Sequence, residues 1–159
     1  MSWLNPWYWI SLVGSPEFWL AVSVAIAAFY AWKKPKGMKG FVVVFLISLA
    51  ISYGIVIGLK DITNIPRPCD PDNPDCPEDS SFPSGHAVAV FTAFTATALF
   101  SKKRAIPILI LALLVSWSRV ALGVHTWADV IVGGLIGVTI TQTVWFALKK
   151  FGKKIKLEI

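Results

Sequence analysis

"GFVVVFLISLAISYGIVIGL", Gly40–Leu59, runs for twenty residues without a charged side chain, and Lys60 follows at once. A helix of that length is about 30 Å long, the thickness of a bilayer's hydrocarbon core. The chain around it has the composition of a membrane protein: 55% hydrophobic, 15% charged, eight Trp, with a mean hydropathy of +0.65. Four further apolar runs extend the pattern, at Phe18–Trp32, about Ser84–Phe100, about Ala105–Leu122 and about Trp127–Leu148. The first is short for a span and needs its flanks, with Lys33 and Lys34 reaching outward along the interface. The expected fold is an all-α integral membrane bundle of five transmembrane helices in one domain, 1–159. Residues 1–16 lack the basic region of a signal peptide and carry Trp3, Trp7, Tyr8 and Trp9, interrupted by Pro6 and Gly14. They read as an N-terminal interfacial helix rather than a sixth span. Gly54/Gly58 and Gly133/Gly137, small residues four apart, are candidate packing handles.

The net charge of +6 is unevenly placed. Twelve of the fifteen Lys and Arg fall in three clusters: Lys33, Lys34, Lys36 and Lys39; Lys102, Lys103 and Arg104; Lys149, Lys150, Lys153, Lys154 and Lys156. Each flanks an apolar run, which is a membrane pattern rather than a nucleic-acid one. The clusters follow the first, third and fifth runs, so those ends are expected in the cytoplasm, with a basic tail at 149–159. The N-terminus and an outer loop at 61–83 then lie on the extracytoplasmic side.

That topology gathers the remaining chemistry at one membrane face. Lys60 ends the second run, Arg67 is in the loop, and "PSGH" (Pro83–His86) opens the third run. Arg119 is near the end of the fourth, and His125 and Asp129 begin the fifth. Ionisable groups at membrane depth usually line a functional cavity. In "PSGH", Ser84 suits a helix N-cap, Gly85 permits close approach to the backbone, and the helix start favours an anion beside His86. A capped helix start with an interfacial His accounts for the same four residues. Four residues apart on a helix, Asp129 can orient the His125 ring and leave its other nitrogen free as a nucleophile. An ion pair holding a helix end is the bland alternative. Lys60, Arg67 and Arg119, against Asp129, leave room for an anion of about two charges.

Taken together, K-x6-R-P (Lys60, Arg67, Pro68), P-S-G-H (Pro83–His86) and S-R-x5-H-x3-D (Ser118, Arg119, His125, Asp129) resemble the three-part signature of the type 2 phosphatidic acid phosphatase superfamily. All positions are present in the family's order across Lys60–Asp129. The resemblance implies that His125 attacks phosphorus, Asp129 orients it, and His86 protonates the leaving oxygen. It implies that Lys60, Arg67, Ser84, Gly85 and Arg119 bind the phosphoryl oxygens, without metal or other cofactor. The expected partners are the bilayer and a lipid phosphate or diphosphate, and nucleic acid is not expected. The outer start followed by a span is similar to the small undecaprenyl-diphosphate phosphatase type, which favours a polyprenyl diphosphate. Phosphatidate or phosphatidylglycerol-phosphate hydrolysis, lipid phosphotransfer, and anion or lipid transport are the alternatives. Transport would call for polar residues through the whole depth of the bundle, and the inner halves carry few.

The loop "RPCDPDNPDCPED" adds Cys69 and Cys76, for which a disulfide is expected on an outer face and two free thiols are the alternative. Its acids, Asp70, Asp72, Asp75, Glu78 and Asp79, stand oddly close to an anion site.

Overall fold

The computed structural model describes residues 5–35, 38–72 and 76–152; Trp3, Lys36, Asp75, Lys153, Lys154 and Lys156 of the sequence reading lie outside them. Within the described residues every regular element is helical: α1 Pro6–Leu12, α2 Pro16–Lys33, α3 Met38–Thr63, α4 Gly85–Phe100, α5 Lys102–Ala121 and α6 Trp127–Gly152. Each apolar run forms a helix, and α3 extends to Thr63, past the loop start expected at residue 61. By length and composition α3, α5 and α6 can each cross a membrane. A fourth span results if α1 and α2, bent by 41° at their junction, count as one; α4 is a shorter apolar helix. The bend sits where Gly14 and Ser15 interrupt the helix and Pro16 restarts it, with Ser15 Oγ accepting from the Phe18 N–H at 3.2 Å.

Helix α4 is the axis of the bundle, packed by α3, α5 and α6. Its small side chains allow this: Ala87, Ala89, Ala93 and Ala96 are buried with Val88, Val90 and Thr92, on every side of the helix. Large apolar residues point outward instead, with Leu20, Trp32, Ile57, Ile106 and Leu135 all exposed. Small inside and large outside is the arrangement expected where the solvent is lipid. Trp19, Phe45 and Leu49 fill the remaining core against Ala89, Val90 and Val115.

The two glycine pairs behave differently. A Cβ on Gly137 would lie 2.6 Å from the Val88 carbonyl oxygen, and one on Gly133 2.6 Å from that of Ser84, so α6 touches the α4 backbone there. Gly54 and Gly58 meet nothing within 4 Å and are not packing handles. Gly137→Ala is therefore expected to cost about 1–3 kcal/mol through overpacking. Gly54→Ala should instead be neutral or gain up to about 1 kcal/mol from helix propensity. Thermal unfolding in detergent measures both, and equal effects would contradict the packing.

Pro35, Met38, Phe41, Phe100 and Arg104 gather at one end of the bundle. The clustered lysines and arginines of α2, α3 and α5 belong to that end. The motif residues occupy the other.

Candidate active site

The turn from α5 to α6 places three motif residues. Gly123, at φ +69°, closes α5: its N–H donates to the Val120 carbonyl at 2.9 Å, and the Val124 N–H to that of Arg119 at 3.2 Å. This is a Schellman ending, and it needs the left-handed conformation that glycine adopts without strain. His125 follows off the helix, in contrast to the expected helical pairing with Asp129. The two meet through the start of α6. Thr126 N–H donates to Asp129 Oδ2 at 2.7 Å, and Asp129 N–H to Thr126 Oγ1 at 3.3 Å, a reciprocal capping box. Asp129 Oδ2 also accepts from Ser81 Oγ at 2.5 Å and stands 3.5 Å from His125 Nδ1.

The other ring nitrogen of His125, Nε2, is 3.1 Å from Arg67 Nη1. Arginine carries no acceptor, so Nε2 accepts and the ring proton belongs on Nδ1, facing Asp129. His125 is buried, and burial followed by the Arg67 charge holds its imidazole below the ordinary value, in the neutral form. A neutral imidazole protonated on Nδ1 keeps its lone pair on Nε2, which Arg67 engages here.

The chain enters α4 at Ser84, whose N–H donates to the Asp129 carbonyl at 3.0 Å. The Ser84 side chain does not cap the helix as the sequence suggested; its hydroxyl is buried without a partner. A buried unpaired hydroxyl at a helix N-terminus is ready to bond an anion, beside first-turn N–H groups that have no intrahelical acceptor. Gly85 is uncrowded, since a Cβ there would come no nearer than 3.7 Å to Val56. His86, half-buried, lies within charge–charge range of Arg119, His125, Arg67 and Lys60.

Arg67 and Lys60 converge from the loop and the end of α3. Arg67 is fixed by bonds from Nη1 to the Val124 carbonyl at 2.9 Å and from Nε to the Asp79 carbonyl at 3.0 Å. Lys60 Nζ bonds Asp79 Oδ2 at 2.7 Å and the Ser80 carbonyl. Arg67 Nη2 reaches Asp79 Oδ1 at 2.6 Å. Burial works against the Asp79 carboxylate, but the Lys60 and Arg67 hydrogen bonds outweigh it and hold the carboxyl below its ordinary value. Cys69 and Cys76 form a disulfide with Cα atoms 5.9 Å apart, closing the loop before Asp79.

Arg119 is buried. Among the described residues its guanidinium bonds Ser11 Oγ of α1 at 2.6 Å, while Nε is unpaired. At the same corner a Cβ on Gly14 would lie 2.9 Å from His86 Cδ2 and 2.5 Å from Val115 Cγ1. The α1–α2 corner thus abuts both a motif cation and a motif histidine.

All eight candidate site residues, Lys60, Arg67, Ser84, Gly85, His86, Arg119, His125 and Asp129, therefore collect at one end of the bundle. Ser11, Gly14, Asp79, Ser81 and Thr126 join them without having been singled out as site residues. T-x-x-D at 126–129 was a legible cap signal. Nothing local marked Ser11, 108 positions from its partner. Among the described residues no group of three or more His, Cys, Asp or Glu is arranged to hold a metal ion.

Comparison with known proteins agrees with the motif reading. Residues 41–153 match the model of the PAP2 superfamily. An undecaprenyl-diphosphatase of Sulfolobus acidocaldarius is 35% identical over 138 residues, covering 80% of this chain and 62% of that protein. The chain thus spans less than two thirds of that relative's length. The crystal structure of the PAP2 type phosphatidylglycerolphosphate phosphatase from Bacillus subtilis superposes with a TM-score of 0.74 at 26% identity, over 99% of this chain and 80% of that one. Aquifex aeolicus LpxE gives 0.71 at 25% identity, over 87% and 82%. A helical bundle with several apolar spans and membrane-phosphatase neighbours describes a multi-pass membrane protein. From the family match and the motifs alike, the chain belongs to the PAP2 superfamily.

Proposed function

We propose that this chain is an integral-membrane phosphatase that hydrolyses a lipid phosphate or diphosphate, with a polyprenyl diphosphate as preferred substrate, through a phosphohistidine on His125. The observation that carries the reading is the placement of the His125 ring, its Nε2 3.1 Å from Arg67 Nη1 and its Nδ1 3.5 Å from Asp129 Oδ2. In the first step the Arg67 donor leaves Nε2 for a phosphoryl oxygen. The freed Nε2 lone pair forms the N–P bond as the P–O bond to the leaving group breaks, and His86 gives that oxygen its proton. Water then attacks phosphorus from the leaving-group side and passes a proton to His86. The N–P bond breaks and phosphate departs. Lys60, Arg67, Arg119, the Ser84 hydroxyl and the N–H groups at Gly85 and His86 stabilise the charge spread over the phosphoryl oxygens.

The lipid class is supported by an apolar groove of about 390 Å3 between α2 and α3, lined by Leu20, Leu46, Leu49, Ala50 and Tyr53. Tyr53 lies beside Gly85, so a tail in that groove would run up to the phosphoryl site. In the membrane, α2 to α6 make five crossings, α1 lies in the interface, and the basic end faces the cytoplasm. The site is then extracytoplasmic, with the N-terminus on its side and the C-terminus inside.

The test is phosphate release in mixed micelles from a polyprenyl diphosphate, phosphatidate and phosphatidylglycerol phosphate, with and without chelator. The highest kcat/KM is expected on the polyprenyl diphosphate, unchanged by chelation. A different rank order would move the substrate, and no release from any lipid would end the enzymatic reading.

Ser11 gives the site a more local test. Ser11→Ala removes the hydrogen bond that fixes the buried Arg119 fork, and should lower kcat/KM roughly tenfold. Ser11→Thr, which keeps the hydroxyl, should recover most of it.

A further inference from the structure

The acids following Arg67 have no part in the reaction just described, yet Asp79 occupies its machinery. Its carboxylate oxygens each take one cation, Lys60 at 2.7 Å and Arg67 at 2.6 Å. Two oxygens of a phosphoryl group would occupy the same donors. The cations are fixed and nearly buried, 14% and 6% exposed, while the Asp79 side chain is 56% exposed and lies at the rim. Its neighbours are tied down: Ser80 Oγ accepts from the Ile65 N–H at 3.0 Å, and the Ser81 N–H donates to the Ile65 carbonyl at 2.8 Å. The Cys69–Cys76 bridge closes the chain on the other side. The carboxylate is thus held beside the cations at high effective concentration, with room to swing outward.

We propose that Asp79 is an internal counter-anion that competes for Lys60 and Arg67 and so selects among anions by charge. This rests on the reading that those two cations bind the substrate phosphoryl group. A terminal phosphate or diphosphate brings about two charges or more and displaces a carboxylate. A phosphodiester headgroup brings one and gains nothing by the exchange. The selection matters because phosphodiester lipids surround the site in excess, and specificity against them needs a repulsive or competing element.

The experiment compares wild type with Asp79→Asn and Asp79→Ala in micelles with and without phosphatidylglycerol, and titrates orthovanadate into each protein by calorimetry. Expected for both variants are a KM and a vanadate Kd three- to tenfold lower, and new inhibition by phosphatidylglycerol. Asp79→Glu should stay near wild type. Unchanged KM and vanadate affinity, or a fall in kcat with no gain in affinity, would overturn the proposal. The second result would make Asp79 a support for the cations. Calorimetry reads the competition independently of turnover, so a wild type that binds vanadate without releasing phosphate defeats the phosphatase reading alone.

Discussion

His125→Ala is expected to reduce phosphate release by roughly 10⁴–10⁶-fold, the range spanned by single removals within a coupled catalytic triad. The expectation is large because nothing nearby can substitute. Nε2 is the ring nitrogen turned toward Arg67; the neighbouring carbonyls of Val124, Asp79 and Ser80 are poor nucleophiles, and the Asp79 carboxylate has both oxygens bonded to Lys60 and Arg67. The fold should survive the change. His125 lies in the turn between α5 and α6, anchored by its backbone N–H to the Arg119 carbonyl, and a methyl side chain leaves that bond intact. KM should move little, since Lys60, Arg67 and Arg119 remain to hold the phosphoryl group. A second readout separates nucleophile from bystander. Wild type incubated with labelled substrate and quenched in alkaline detergent should carry label that is stable to base and lost on later acid treatment, as a phosphoramidate is. His125→Ala should carry none. Turnover within tenfold of wild type, or label that persists in the variant, would remove His125 from the chemistry.

The parts of this site legible in the sequence were those that local rules control. Apolar runs locate helices because a bilayer demands internally bonded backbone, and all five runs became α2 to α6. Charge clusters and leftover cations sorted to opposite ends for the same reason. Contacts across the bundle were not legible. Gly54/Gly58 and Gly133/Gly137 share one spacing, and only the neighbour each helix meets decides that the second pair packs. The Ser84 hydroxyl looked like a cap, but Asp129 and Ser84 meet through the backbone, leaving the hydroxyl free for another task. Asp79 looked out of place in sequence because its position between two cations is set by the fold of the loop. The bend at Gly14 and Pro16 could be read as a break. That it brings Ser11 against Arg119 could not.

Asp129→Asn is expected to lower kcat by about 10⁴-fold, as replacing the orienting carboxylate does in a serine-protease triad. Oδ2 is the shared acceptor for Ser81 Oγ and Thr126 N–H, and the atom facing His125 Nδ1. An asparagine placed with its nitrogen there sets N–H donors against the Ser81 O–H and the Thr126 N–H. Placed with its oxygen there, it accepts as before but without the charge that stabilises the ring once Nε2 carries phosphorus. The 3.5 Å separation is long for a hydrogen bond, and such contacts often tighten only when substrate binds. The same carboxylate caps α6, so stability should fall as well, by about 0.5–2 kcal/mol. Thr126→Ala separates the two roles. It removes the Oγ1 acceptor of the Asp129 N–H but leaves the carboxylate, so it should cost similar stability with a small loss of turnover. If Asp129→Asn were to lose thermal stability while keeping kcat within tenfold, Asp129 would be a helix cap and the orientation of His125 would have to come from Arg67.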